Sequence, residues 1–275
     1  MSKITELISN SEKLSYSYEV TPSITYEKIK DIDILPRFFS VTWHPQEQDL
    51  KSFNMGFAPL KLATDLITAG HNVLLHVSCS FMMKKYLHDL LKFLQEMGIC
   101  NLLIIRGENY DATKSDFTSH ELIKYIRKLT GDYFCIGVAG FLADDEKLPH
   151  LKAKVESGAN FILTQAFFQP IMFENFVLQC HEIGINIPIL PGLFVFETKV
   201  QLNKFISLCK IRVSENTLVS IKKHSGIGTV AKLILDLNKL SGIKHFHFFT
   251  INKMDITSKI IECVNSNMIT NMNEV

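Results

Sequence analysis

The segment PLKLATDLITAGHNVLLHVS (59–78) decides the reading of the fold. Its first half carries apolar residues at steps of three and four, the spacing of one helix face. Gly70 then supplies the left-handed turn that ends a helix, and after His71 and Asn72 the apolar run VLLHVS reads as a strand. The same unit recurs along the chain. MKKYLHDLLKFLQEM (83–97) closes at Gly98 and passes through Ile99 and Cys100 into NLLIIRG (101–107). Gly158 precedes FILTQ, Gly184 precedes IPILPG, and Gly242 precedes HFHFFTIN. LSYSYEV near 14–20, RFFSVTW at 37–43 and FCIGVAG at 134–140 bring the expected strands to eight.

Strands alternating with helices predict a parallel sheet. Eight such units in about 250 residues predict an α/β fold closed into a (βα)8 TIM barrel, with an open doubly wound sheet as the alternative. No compositional break divides the chain, so 1–275 is expected to be a single domain. Ile4, Leu7 and Ile8 suggest a short amphipathic helix within 1–14 lying on the barrel, and 266–275 is expected to be a frayed tail.

The chain has 275 residues, 47% hydrophobic and 21% charged, enough to bury a large core and unlike a disordered segment. A net charge of +1, with no basic stripe, argues against nucleic-acid binding. No apolar run approaches the roughly 18 residues of a membrane span. The first residues, MSKITELISNSEKL, contain Glu6 and Glu12 and do not read as a signal peptide. Six cysteines at 79, 100, 135, 180, 209 and 263 form no CxxC pair and read as reduced thiols, so a cytoplasmic location is expected. Whether copies associate as a homo-oligomer is left open.

In a parallel barrel the chemistry sits at the C-terminal mouth, so the last residues of each strand matter most. The first ends in Glu19, the second in Thr42-Trp43-His44, the third in His76 and Ser78, and the fourth in Arg106-Gly107-Glu108. The sixth ends in Thr164-Gln165, and the eighth in Phe249-Thr250 with Asn252-Lys253 beyond. Period-two alternation puts Ser15, Ser17 and Glu19 on one face and Tyr16 and Tyr18 on the other. A partly desolvated carboxyl group there would have a raised pKa and could donate a proton near neutral pH. Plainer roles are also open. Glu19 could pair with Arg106 or Lys253, His76 could be a satisfied interior histidine, and His245-x-His247 shares a face but lacks a third metal ligand at convincing spacing. No metal is expected.

In order along the chain, SYEVTPS (17–23), SVTWHP (40–45), LHVSC (75–79), IIRGE (104–108), GDYFCIGVAGF (131–141), KVESGANFILTQAFF (154–168), PILPGLF (188–194) and HFHFFTINK (245–253) resemble the methylenetetrahydrofolate reductase family. The likeness is to the eukaryotic catalytic module without its C-terminal regulatory domain. It implies reduction of 5,10-methylenetetrahydrofolate to 5-methyltetrahydrofolate, with hydride passing from NAD(P)H through FAD, in support of methionine synthesis. It assigns Glu19 as the acid that protonates the folate and Glu108 as a second carboxylate near substrate and flavin. Glu108 stands where the family has Asp, which moves the charge by about 1.5 Å. Gln165, Phe249 and Lys253 match folate contacts. Thr42, Trp43, His76, Arg106, Gly107, Phe141 and Lys154 match flavin contacts, and Phe205 matches a phenylalanine that stacks on the nicotinamide nucleotide.

The chain departs from the family mostly at the flavin end. GFLADDEKLPHLKAK (140–154) is shorter than the usual segment, with Phe141 for Tyr and Lys147 for a flavin-contacting Asp. Lys147, Lys152 and Lys154 could hold the cofactor diphosphate as point charges. A flavin-free relative that still binds reduced folate, or a silent folate- or partner-binding barrel, are the alternatives.

Overall fold

A computed structural model describes residues 1–9, 12–107, 110–142, 144–209 and 225–273, with 211, 213, 218 and 221 between the last two spans. Parallel strands alternate with helices around a closed barrel. The strands are β1 (Ser15–Val20), β2 (Phe39–Val41), β3 (Val73–Ser78), β4 (Asn101–Ile105), β5 (Cys135–Gly140), β6 (Phe161–Thr164), β7 (Ile189–Leu190), β8 (Gly192–Phe194) and β9 (His245–Phe249). All pairings are parallel, and β1 joins β2 on one side and β9 on the other. The helices that cover the barrel wall are α2 (Ala58–Thr68), α3 (Lys84–Glu96), α4 (Ser119–Thr130), α5 (Leu148–Glu156), α6 (Pro170–Glu182), α7 (Lys199–Cys209), α8 (Gly226–Ser241) and α9 (Met254–Asn273), and α1 (Ile4–Ser9) precedes them.

Nine strands stand where eight are expected because Pro191 divides the seventh. Proline has no N–H to give a ladder. Before it, Ile189-Leu190 pairs with β6; after it, Gly192–Phe194 pairs with β9. The break therefore falls where the barrel closes. A side chain at Gly192 would put its Cβ 2.3 Å from the Thr164 carbonyl and 2.5 Å from the Phe249 ring.

Alternation along each strand sorts the core into two layers. Tyr16, Tyr18, Phe246 and Phe248 face outward to the helices, with Tyr16 stacked on Phe248 at 5.3 Å. The inner layer holds Phe38, Leu74, Leu103, Cys135, Phe161, Leu163 and Leu190. Helix α1 does not lie along the wall but plugs the N-terminal opening of the barrel. Ile4 is fully buried among those inner residues, Leu7 and Ile8 pack beside it, and its N–H donates to Asn101 Oδ1 at 2.9 Å. At the other end of the chain the backbone stays helical to Asn273, where a frayed tail is predicted from 266.

The interior also carries a polar ladder. Ser15 Oγ lies 2.8 Å from His245 Nδ1, Ser17 Oγ 3.0 Å from His245 Nε2, and Ser17 Oγ 2.8 Å from His247 Nδ1. Ser40 Oγ lies 2.7 Å from His76 Nε2. Phe38 stacks on both His245 and His247. Burial pushes His76 and His245 down to about 3 and His247 well below its ordinary value, so all three are neutral at physiological pH. His245 is thus engaged through both ring nitrogens by serine hydroxyls, and His247 through Nδ1 alone, its buried Nε2 having no partner among the described residues. Among the described residues no three His, Cys, Asp or Glu side chains gather as a metal site.

Candidate active site

The C-terminal mouth has two parts, built from different elements. One lies over β3–β5 and the start of α5. There a cavity of about 430 Å³ is lined by Trp43, Arg106, Gly107, Phe141 and Lys154, together with Ser78 and Ser80. A second cavity of about 510 Å³ adjoins it, sharing Arg106, Ala139, Phe141 and Lys154 and adding Tyr110, His120, Lys147 and His150. Together they form a long cleft with cations along its middle.

Gly107 makes the turn out of β4 at φ +87°, and a Cβ there would stand 2.2 Å from Ser80 Oγ and 2.3 Å from Ser78 Oγ. Only glycine permits both that conformation and that approach. Ser78 and Ser80 in turn donate to the Arg106 carbonyl, which fixes the stem of the arginine. The Arg106 guanidinium lies 4.9 Å from the centre of the Tyr110 ring, and Lys147 Nζ 4.0 Å from that of Phe141. Lys147 also pairs with Asp144 at 2.9 Å. Burial lowers the Lys154 pKa, and the nearby Lys147 and Arg106 charges add to the effect. Like charges held this close favour an anionic guest. Trp43 is buried with its ring edge-on to Phe57, and its Nε1, like the Thr42 hydroxyl, has no partner among the described residues. A buried donor without a partner is costly and invites a ligand.

Lys152 does not belong to this cleft. Its ammonium reaches the Ile183 carbonyl at the end of α6 and lies 3.8 Å from Glu156. Helix geometry explains the difference. Lys147 and Lys154 are seven residues apart and share a face, whereas Lys152 is turned well away from it at 3.6 residues per turn.

The other part of the mouth lies over β1, β6 and β9. Glu19 ends β1 on the inward face, in register with Ser40 on β2 and Phe249 on β9. It is half-buried, forms no ion pair with Arg106, Lys253 or any other described residue, and burial raises its carboxyl from 4.5 to about 8. Phe249 sits edge-on to His247 at 5.2 Å, and Lys253 is exposed beyond it. Gln165 follows β6, and its Nε2 donates to the Cys209 carbonyl at the end of α7 at 3.1 Å.

Of the residues singled out from sequence, the structure thus gathers Trp43, Arg106, Gly107, Phe141 and Lys154 in the cleft, with Thr42 buried beside Trp43. Glu19 and Phe249 stand near the ends of β1 and β9, and Gln165 directly follows β6. His76 lies deeper, in the polar ladder. Phe205 does not line the cleft; it is buried in α7 with its ring stacked on Phe194 at 3.7 Å. Glu108 lies outside the described residues. Tyr110, His120 and His150 are lining residues that sequence reasoning missed, because they sit on loops and helix starts with no periodic signal.

The model of the family described as methylenetetrahydrofolate reductase matches residues 3–265. The chain belongs to the methylenetetrahydrofolate reductase family. Methylenetetrahydrofolate reductase 1 of Schizosaccharomyces pombe is 30% identical over 289 residues, covering 91% of this chain and 46% of that protein. The 5,10-methylenetetrahydrofolate reductase of Pectobacterium carotovorum is 26% identical, covering 82% of this chain and 78% of that one. The chain therefore spans about half the length of the fission-yeast reductase. Among solved structures, a Clostridium thermocellum protein described as binding two copies of 5-methyl-5,6,7,8-tetrahydrofolic acid has a TM-score of 0.65 at 13% identity. It covers 98% of this chain and 100% of its own, and at that identity it shows that the reductase family's barrel is shared as a fold.

Proposed function

We propose that this barrel reduces 5,10-methylenetetrahydrofolate to 5-methyltetrahydrofolate with electrons from NAD(P)H, using FAD bound in the cleft, as a cytoplasmic enzyme that supports methionine synthesis. The observation that carries the reading is Glu19: a carboxyl at the mouth, without a cation partner among the described residues, still protonated near neutral pH. The methylene carbon of the substrate bridges two nitrogens, and one C–N bond must break before that carbon becomes a methyl group. A proton from Glu19 to N10 makes that nitrogen a leaving group and leaves an iminium at N5. Hydride addition to the carbon then completes the methyl group, N10 retains the proton, and the Glu19 carboxylate regains a proton from solvent.

FAD, when bound, supplies the hydride carrier between nicotinamide and folate. Trp43, Arg106, Gly107, Phe141, Lys154 and Lys147 would hold it, the cations facing its diphosphate and the unpartnered Thr42 and Trp43 donors satisfied by its polar edge. Gln165 would offer its amide to the pterin edge, after releasing the Cys209 carbonyl. Phe249 would pack on the folate ring, and Lys253 would attract its carboxylates as a point charge. His76, matched to a flavin contact by the family resemblance, lies in the polar ladder with its Nε2 2.7 Å from Ser40 Oγ and would act on the cofactor only through its neighbours.

The test is a pair of half-reactions. Purified protein should be yellow, bleach with NAD(P)H and regain colour with methylenetetrahydrofolate. Glu19→Gln should leave bleaching intact and abolish the folate step. Colourless protein that takes up no added FAD would remove the flavin reading and favour a flavin-free folate-binding barrel, to which the shortened 140–154 segment already points. Equal loss of both half-reactions in Glu19→Gln would sink the acid role.

A further inference from the structure

The turn that leaves β9 is strained. Ile251 (φ +45°) and Asn252 (φ +60°) both occupy the left-handed region without being glycine. For a β-branched residue such as Ile251 this is a genuine outlier, which persists only where the surroundings enforce it. What enforces it is a set of hydrogen bonds that tie the turn to itself and to the segment carrying Glu19. The Asn252 N–H donates to Thr250 Oγ1 at 3.0 Å, and the Thr250 hydroxyl donates in turn to the Glu19 carbonyl. The Asn252 side chain spans to the residues after Glu19. Its Oδ1 accepts from the Thr21 N–H at 2.9 Å, and its Nδ2 donates to Thr21 Oγ1 at 2.6 Å and Ser23 Oγ at 3.0 Å. Thr250 is fully buried.

The Glu19 side chain makes no hydrogen bond to a described residue. Where its carboxyl stands therefore depends on its backbone, and that backbone is held on both sides from the β9 turn. The titratable groups on or next to the strands packed against β1 are His245 and His247 on β9 with Lys244 and Lys253 flanking it, and Arg37 and His44 flanking β2. None forms an ion pair with Glu19 among the described residues. We propose that Thr250 and Asn252 are positioning residues for Glu19, using a strained turn to hold the acid over the barrel mouth. The proposal rests on Glu19 being the proton donor of the reaction.

The test uses Asn252→Gly and Thr250→Val in the full chain. Glycine keeps the left-handed backbone and removes only the side-chain clamp; valine keeps the shape of threonine and removes the hydroxyl. A displacement of about 1 Å at a reacting group costs on the order of 100-fold in rate. Each variant should lower kcat for folate reduction by about 10- to 100-fold with a smaller change in KM, while flavin bleaching by NAD(P)H stays unchanged. Thr250→Ser should restore the rate. Independently of any turnover, carbon-13 NMR of the Glu19 carboxyl should show its midpoint falling from about 8 toward the ordinary carboxylate range in both variants, as water reaches it. Folded variants with an unmoved midpoint and wild-type kcat would overturn the proposal. If Glu19→Gln keeps full folate reduction, the acid reading falls, and the NMR midpoints alone then decide whether the clamp positions Glu19.

Discussion

Replacing Glu19 by glutamine should stabilise the protein, and only above the acid range. The carboxyl ionises at about 8 in the folded chain against 4.5 ordinarily, because burial penalises the charge. Below 4.5 both folded and unfolded states hold the proton, and the group is neutral in both. Between 4.5 and 8 the unfolded chain loses the proton while the folded chain keeps it, so each pH unit removes about 1.36 kcal/mol of stability. Above 8 the penalty is complete. Taken at face value the interval corresponds to about 5 kcal/mol, but Glu19 keeps part of its surface in water, and screening brings the expectation to roughly 2 kcal/mol. Glutamine has nearly the same shape and no charge, so it escapes this cost. Urea unfolding of both proteins at pH 5 and pH 8.5 should show a gap near zero at the lower pH and about 2 kcal/mol in favour of Gln at the higher. A gap that is the same at both pH values would refute the premise that Glu19 is held protonated by desolvation.

Gly107→Ala should lose about 2–4 kcal/mol, from the left-handed backbone and the overlap with Ser78 and Ser80, and should weaken FAD uptake measured by titration. Arg127→Met should cost about 2–4 kcal/mol in chemical denaturation, since its guanidinium serves the Gly131, Phe134 and Gly158 carbonyls, which lose that donor, and Asn160 Oδ1, which keeps only the Ile136 N–H. The buried neutral His76 and His245 should make the fold acid-sensitive. Their folded values of about 3 lie below the unfolded 6.5, so the stability they contribute is complete above 6.5 and drains as pH falls toward 3. Fluorescence-monitored unfolding should show His245→Gln with a shallower fall between pH 6 and 4 than the wild type; identical slopes would count against the burial of a neutral imidazole.

Much of the barrel is legible because its punctuation is local. Gly70, Gly98, Gly158, Gly184 and Gly242 all take positive φ at helix ends, where a side chain would be strained, so the helix-to-strand rhythm can be read residue by residue. The inward set Ser15, Ser17 and Glu19 follows from the two-residue period alone. What those serines are for does not. Ser17 meets His247 only because β1 closes against β9, and a contact across 230 residues leaves no local trace. The turn at Ile251-Asn252 is hidden for a related reason: a left-handed position normally announces itself with glycine, whereas here long-range hydrogen bonds impose it on residues that do not favour it. Lys147, Lys152 and Lys154 look alike in the sequence, and only the start of α5 at Leu148 sets which of them share a face.

The two parts of the mouth differ in material, and that bears on which could change while the other stayed fixed. Glu19 and Phe249 stand near the ends of β1 and β9, where register with both neighbours sets their position and a shift of one residue would turn a side chain to the other face of the sheet, and Gln165 directly follows β6. The cleft is framed instead from outside the strands, by Tyr110 and Phe141 on loops, Lys147 just before α5 and Lys154 in the last turn of α5, where length can change without disturbing the ladder. The shortened segment from 140 to 154 falls in this second material. There Lys147 lies over Phe141, at the cavity that Arg106 and Lys154 also line. Exchanging Lys147 for Asp, the residue usual in the family, should then test whether the cleft depends on its cations. Arg106 and Lys154 would then face a diphosphate beside a new carboxylate, a change from three positive charges to a net one, and affinity for FAD should fall by at least the roughly tenfold expected for the loss of one charge-assisted contact of about 1.5–3 kcal/mol. Tighter FAD binding in Lys147→Asp would mean that the aspartate contact outweighs the charge, and that the cations of this cleft serve some other anion.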